Sequence, residues 1–226
     1  MSYLFAYSKM LHEAISFEEN EIPVLIFENR NAYRDLLTDF QMQQIGKDGI
    51  YVLSKNNKTI SSKHIEFISD PFQVDINNKK LITQIINQLA DYSKSEEFSY
   101  KLQTLNSYLQ SLILDLTDDI DVELEFSDFL DVKGILKLYD IKIPENSYSD
   151  LLEKLLKYIL LEHQVLGIEC FIINNLKLYL TSDELDEFYK EMSYNKIALI
   201  LVQSEELYSN EGEISLIVDE DLCLIY

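Results

Sequence analysis

The chain has 226 residues, enough to bury a sizeable core as one large domain or two small ones. With 47% apolar and 12% aromatic residues it is not a disordered chain. A net charge of −21 excludes DNA binding by a uniformly charged surface, because contact with phosphates needs Lys and Arg to displace counterions. DNA remains compatible if the basic residues gather on one surface or if a cation intervenes.

The N-terminus, MSYLFAYSKMLHEAISF, lacks a basic region leading into an apolar one, so no signal peptide is read there. No apolar run approaches the roughly 18 residues of a membrane span. The expectation is a soluble, cytoplasmic protein. Cys170 and Cys223 sit in apolar runs and read as two buried thiols in a reducing compartment, with no metal-ligand spacing.

Residues 2–9 and 14–18 suit two short opening strands. Ile22 to Phe27 (IPVLIF) is continuously apolar, the pattern of a strand buried on both faces. Asn31 to Gln43 follows as a helix, with Tyr33, Leu36, Leu37 and Phe40 on one face. Residues 50–61 predict a hairpin turning at Asn56-Asn57, and another short strand falls near His64 to Ile68. Lys80 to Tyr92 carries a helical apolar stripe. Residues 91–100 interrupt the pattern. A second helix then sets Leu102, Leu105, Leu109, Leu112 and Leu116 at alternating spacings of three and four, a heptad-like seam suited to packing on another long helix. Ser127 and Asp128 are candidate caps for a helix running to about Tyr139.

The last third alternates helices with buried strands. Ser147 or Ser149 is placed to cap a helix that ends at Gly167. Ile168 to Ile173 and Ile197 to Val202 read as buried strands, and Thr181 to Glu184 offers a capping box for the helix between them. Ser215 to Val218 and Leu222 to Tyr226 suit strands at a sheet edge. Three apolar strands separated by helices predict a mostly parallel α/β sheet, from which the helices of 80–139 must project.

Such a sheet raises the question of nucleotide chemistry. The turn after IPVLIF should then carry a glycine-rich cradle for phosphates. It carries Glu28-Asn29-Arg30-Asn31-Ala32 instead, and the chain has only five glycines. Nucleotide hydrolysis is not expected. Of the three histidines, none sits at a strand end with a Ser or Cys partner, and His163 beside Glu162 suits a surface or helix-end role.

The stretch DLTDDIDVELEFSDFLD (115–131) is the strongest chemical signal. If it is extended, Asp119, Asp121, Glu123 and Glu125 share one face, spaced about 7 Å apart, while Ile120, Val122, Leu124 and Phe126 face a core. A row of like charges opposes folding, and a bound cation relieves it. Oxygen-only donors favour calcium or magnesium over zinc. The spacing is not that of an EF-hand, which needs Gly and Glu where Leu124 and Leu130 stand. Ordinary solvated acidity, or the carboxylates of a metal-dependent nuclease, stay open on these residues alone. The basic residues cluster in pairs: Arg30 with Arg34, Lys55 with Lys58, and Lys133 with Lys137 four apart on one helix face, with Lys142 beyond.

Three stretches carry a resemblance: ISFEENEIPVLIFENRNAYRDLL, DDIDVELEFSDFLDVKGILKLYDIKI and CFIINNLKLYLTSDELDEFYKEMSYNKIALILVQSEELY. In that order and spacing the chain resembles the CRISPR-associated Csn-two family, the spacer-acquisition ring protein of type II-A systems. The resemblance implies an α/β head, similar to a P-loop ATPase fold without the phosphate loop, over 1–78 and 140–226. It implies an inserted α-helical leg with an acidic junction over 79–139. It further implies a homotetrameric ring, calcium at the junction, and double-stranded DNA ends bound without sequence preference. The implied role is spacer acquisition beside the CRISPR integrase complex and the effector nuclease, with no catalytic activity, nucleotide or membrane. Glu123 and Glu125 match the family's acidic motif; Asp119, Asp121 and Asp128 match flanking acids. Lys137 and Lys142 match lysines of the inner surface. Arg30, Arg34, Lys55, Lys58 and Lys133 are added from clustering. Gly134 departs from the pattern, because glycine weakens a short helix by about 1 kcal/mol relative to Ala. The alternatives are a metal-dependent nuclease using Asp121, Glu123 and Glu125, or an adaptor that recruits basic partners and binds no DNA.

Overall fold

The structure, a computed structural model, describes residues 2–11, 13–47, 49–118, 125–144 and 148–225. The chain divides into two compact units. Unit 1 comprises Met1–Ile76 and Glu145–Tyr226, and unit 2 comprises Asn77–Pro144.

Unit 1 holds two sheets. The smaller one is antiparallel, in the order β2-β1-β4-β5, from β1 (Ser2–Tyr7), β2 (Ile15–Glu18), β4 (Tyr51–Lys55) and β5 (Lys58–Thr59). Asn56 and Asn57 turn the β4–β5 hairpin with φ of 48° and 63°. Two successive positive φ angles give the tight turn whose twist matches its strands, and Asn tolerates them. The larger sheet runs β10-β9-β3-β8-β7-β6, from β3 (Ile22–Phe27), β6 (Ile65–Ile68), β7 (Cys170–Asn174), β8 (Ala198–Gln203), β9 (Glu213–Val218) and β10 (Leu224–Ile225). Every pairing in it is parallel except β10 on β9. The expected mostly parallel α/β sheet is therefore present. One expectation is corrected: β9 is interior, with β3 on one side and β10 on the other. Apolar periodicity gives the faces of a strand but not its neighbours.

Helix α1 (Arg30–Gln44) and the small sheet cover one face of the large sheet. Tyr3, Phe5, Tyr7 and Phe17 meet Leu36 and Phe40 of α1 and Leu25, Phe27, Ile172, Ile200 and Val202 of the large sheet. Phe40 is central: its ring lies 4.9 Å from Tyr51 and 5.2 Å from Phe67. The alternate residues Val24, Ile26, Phe171, Ile173, Leu199 and Leu201 are buried on the other face. That face packs with α5 (Leu151–Leu161) and α6 (Ser182–Tyr194), whose Leu155, Ile159, Leu185 and Phe188 are fully buried. The capping box of α6 forms as expected, with Thr181 and Glu184 bonding reciprocally. For α5 the cap is Asp150, which accepts from Glu153 N at 2.9 Å; Ser149 instead donates to the Glu153 carboxylate, and Ser147 lies outside the described residues. A single wide turn (162–166) extends α5 to Gly167, whose φ of 71° lies where a Cβ is disfavoured. Cys170 is buried, and burial pushes its thiol pKa up. Cys223 is exposed, against the expectation of two buried thiols, because β10 is a short edge strand.

Unit 2 holds α2 (Lys79–Tyr92), α3 (Glu96–Thr117) and α4 (Val132–Leu138). Asn77 closes its base, donating to Ile143 O at 3.0 Å and accepting from Ile143 N at 2.8 Å. Helix α2 packs against α4 and buries Leu81, Ile86 and Ala90. The expected break over 91–100 shrinks to Ser93, Lys94 and Ser95. Helix α3 starts at Glu96, and Glu96 and Glu97 in its first turn complement the helix dipole. Helix α4 starts later than expected, after Asp131, because the Ser127 hydroxyl accepts locally from Phe129 N at 3.2 Å. Among the described residues no helix is long and apolar enough to cross a membrane.

Candidate functional site

The acidic row expected as an extended segment falls largely outside the described residues: Asp119, Asp121 and Glu123 lie there, with Ile120, Val122 and Leu124. Glu125 and Asp128 are described, and both are exposed. The segment they occupy is held along α3. Asn106 donates to the Asp128 backbone carbonyl at 2.9 Å, and Gln110 donates to the same oxygen at 3.4 Å. These bonds engage the carbonyl and leave the carboxylate in solvent. No group of three or more metal-ligating side chains assembles among the described residues. Glu125 and Asp128 are hard oxygen donors that make no ion pair among the described residues. Their chemistry fits calcium better than a softer metal.

The basic residues divide between the units. In unit 2, Lys133 and Lys137 are both exposed on α4, four residues apart. Lys142 is exposed and pairs with Asp140 at 2.6 Å. In unit 1, Arg30 and Arg34 are exposed in the first turns of α1, beyond the C-terminal end of β3. Lys55 and Lys58 are register partners across the β4–β5 hairpin. Lys55 pairs at 3.2 Å with Glu169, which immediately precedes β7. Because β3 and β7 run parallel in one sheet, the arginines and the hairpin lysines lie at opposite ends of its strands. They do not form one patch. Desolvation pulls the Lys55 ammonium down, but Tyr3 and Glu169 beside it outweigh that and hold its pKa above the ordinary value.

The position of a phosphate loop is occupied by protein. Asn29 caps α1, accepting from Asn31 N and Ala32 N at 3.1 Å each, and its own amide donates to Glu220 O at 2.8 Å. The amides of Asn31 and Ala32 are thereby satisfied internally. The histidines outside this region serve the backbone. His64 Nδ1 bonds Gly167 O at 2.8 Å, and His163 Nδ1 bonds Ile168 O at 2.6 Å, which places His163 at a helix end as expected. His12 lies outside the described residues.

One buried polar cluster escapes the sequence reading. Lys177 is 5% exposed; its ammonium donates to Glu213 at 2.6 Å and to the Tyr208 carbonyl. The other Glu213 oxygen accepts from Tyr189 OH at 2.7 Å. Burial, and then the bond to that carboxylate, push the Tyr189 phenol pKa up. The available signal is a single lysine inside the apolar run LKLYL (176–180). The cluster ties the segment between β8 and β9 to the body of unit 1.

Comparison with known proteins places this geometry. The family model described as CRISPR-associated protein (Cas_Csn2) matches residues 43–222. No curated protein matches the sequence significantly. The crystal structure of Stu0660 of Streptococcus thermophilus superposes with a TM-score of 0.55 at 13% identity, over 95% of this chain and 74% of that one. At that identity the likeness establishes the fold alone. An ATP-binding protein of a putative ABC transporter from Pyrococcus furiosus gives a TM-score of 0.41 at 11% identity, over 95% of this chain and 97% of that one. The ADP conformation of MJ1267, an ATP-binding cassette, gives 0.43 at 12% identity, over 95% and 89%. Scores of that size say nothing about chemistry here. The family match spans most of the chain and agrees with the parallel sheet and its inserted helices, and on that basis the chain belongs to the CRISPR-associated Cas_Csn2 family.

Proposed function

We propose that this protein is a calcium-dependent ring that binds double-stranded DNA ends without sequence preference and supports spacer acquisition in type II-A CRISPR immunity. It acts in the cytoplasm as a homotetramer, beside the integrase complex and the effector nuclease, with no catalytic step of its own and no nucleotide. Unit 1 serves as the head, and unit 2 as the leg.

The observation that carries this reading is helix α3. It is 22 residues long and contains no buried residue. Its seam residues Leu105, Leu112 and Leu116 are 40%, 52% and 66% exposed. A heptad-spaced apolar seam that the described residues leave largely exposed gains stability from a partner helix. The same helix runs directly into the acidic segment, so assembly and ion binding share one element.

Asp119, Asp121, Glu123, Glu125 and Asp128 supply the calcium donors. When bound, the ion neutralises carboxylates that otherwise repel each other and the DNA. The chain's own residues do the rest. Lys137 and Lys142, with Lys133, follow the acidic segment and meet phosphates. Arg30, Arg34, Lys55 and Lys58 add positive charge on the head. A chain of net charge −21 depends on such local grouping, and its affinity for DNA falls steeply with salt.

The test compares linear and closed-circular duplex of one sequence, with calcium or with chelator, together with sedimentation. The reading expects a tetramer that retains linear DNA only, and only with calcium. A monomer that ignores linear DNA in calcium overturns it. Dose-dependent cleavage in magnesium or manganese, lost in Glu123→Ala, supports the nuclease alternative instead. Absence of DNA binding at every salt concentration, with a basic protein partner still bound, supports the adaptor.

A further inference from the structure

A cleft of 490 Å³ opens beside the β4–β5 hairpin, lined by Lys55, Lys58, Thr59, Ser61, His64 and Glu169 among its residues. It lies wholly within unit 1. We propose that this cleft binds a phosphate monoester group.

The hairpin supplies the first argument. Lys55 and Lys58 face each other directly across the two strands, so both side chains leave the same face of the ribbon. Like charges placed this way repel. Glu169 offsets only one of the two. Lys58 is exposed and makes no ion pair among the described residues. A dianion held between the two ammonium groups removes the repulsion. A phosphate monoester carries a charge of about −1.5 to −2 and three strong acceptor oxygens.

The walls supply the second argument. Ser61 Oγ accepts from Lys63 N at 3.4 Å, which leaves its hydroxyl hydrogen free to donate. His64 is fixed in one tautomer: its Nδ1 lies 2.8 Å from Gly167 O, a carbonyl can only accept, and so Nδ1 carries the hydrogen. The backbone of the same residue accepts from Glu169 N at 2.8 Å, so the wall is tied to the start of β7 and is preformed. Nε2 is left as the ring's second polar atom. A phosphate monoester offers these groups three terminal oxygens and a charge of about −1.5 to −2. A phosphodiester offers two free oxygens and a single negative charge to the two ammonium groups. The chemistry therefore favours a terminal phosphate over the internal phosphates of a nucleic-acid backbone.

The cleft shares Lys55 and Lys58 with the proposed DNA-binding residues, but it is argued from geometry within unit 1 and needs neither a ring nor calcium. Its phosphate has two possible sources, free phosphate species or the 5′-phosphate of a DNA end. The experiment titrates the full chain with inorganic phosphate and follows the backbone amides of Lys58, Ser61 and His64 by NMR. Saturable shifts at these amides are expected. Lys58→Ala weakens binding about tenfold, the size of one charge-assisted hydrogen bond, while Glu169→Gln tightens it. Thermal melts of both variants that match the parent show that the fold is intact. A second arm compares 5′-phosphorylated and unphosphorylated duplexes of one sequence. Tighter binding of the phosphorylated duplex, abolished by Lys58→Ala, identifies a DNA end as the source. Equal binding of both duplexes, with the phosphate shifts retained, identifies a free phosphate species. Phosphate shifts in a protein that binds neither duplex sink the ring reading and leave the cleft standing. Absence of saturable shifts with millimolar phosphate, or equal effects of the two substitutions, overturns the proposal.

Discussion

Helices α1 and α3 carry the same kind of apolar residue in amphipathic order, yet the protein treats them differently. In α1, Ala32, Leu36 and Phe40 are buried to 1% exposure or less, wedged between two sheets. In α3, Leu105, Leu112 and Leu116 stand in solvent over a longer helix. The contrast teaches that a helical apolar stripe specifies a contact without specifying which molecule provides it. In unit 1 the contact is the chain's own large sheet. In unit 2 the described residues leave Leu105, Leu112 and Leu116 exposed.

The comparison breaks first where unit 1 is most committed. Glu213→Ala leaves the Lys177 ammonium, 5% exposed, without its carboxylate and strips Tyr189 of its acceptor. Removing one partner of a buried pair costs about 3–5 kcal/mol. Urea unfolding of the variant is expected to show that loss, and the double variant Lys177→Met with Glu213→Leu to recover most of it. Recovery matters, because it separates a buried charge left alone from general damage to the segment between β8 and β9. A loss below about 1 kcal/mol means the pair is solvated and the burial argument fails.

Leu36→Ala on α1 comes next, at about 2–5 kcal/mol for a fully buried leucine whose cavity cannot collapse between two sheets. The helix caps give a smaller contrast of the same kind. Thr181 closes α6 with a reciprocal capping box, whereas Ser95 at the start of α3 makes no side-chain capping bond. Thr181→Ala is expected to cost about 1 kcal/mol. Ser95→Ala should fall well below that, which paired thermal melts can resolve.

How much of this could be read from the sequence follows the same division. IPVLIF, CFIIN and ALILVQ declare buried strands because continuous apolar runs have few other uses, and Asn56-Asn57 and Thr181–Glu184 declare a turn and a cap by local chemistry. Long-range facts are not written locally. That β9 sits between β3 and β10 depends on sheet order, and that Cys223 is exposed depends on β10 being a two-residue edge. The pairing of Lys177 with Glu213 joins residues 36 apart, and only a lone charge in an apolar run hints at it. For the candidate site, the carboxylates and lysines were legible as residue types. Their grouping was not: Arg30 and Lys55 look alike in sequence and lie at opposite ends of the large sheet.

The smallest effect on the folded protomer is the sharpest test of the comparison. Leu112 is 52% exposed on a helix with no fully buried residue, so Leu112→Glu should change the unfolding free energy of an isolated protomer by no more than about 0.5 kcal/mol. If a second helix covers the seam, the same substitution places a charge inside an apolar contact and disfavours assembly. The two statements are separable because only association makes a melting temperature depend on protein concentration. The parent is expected to melt at a temperature that rises with concentration, and Leu112→Glu at one that does not, with sedimentation showing the shift to smaller species. Leu36→Ala provides the control, since it lowers the melting temperature while leaving the concentration dependence in place. A parent whose melting temperature ignores concentration means that α3 is exposed in solution as well. The ring reading then loses the element that carries it.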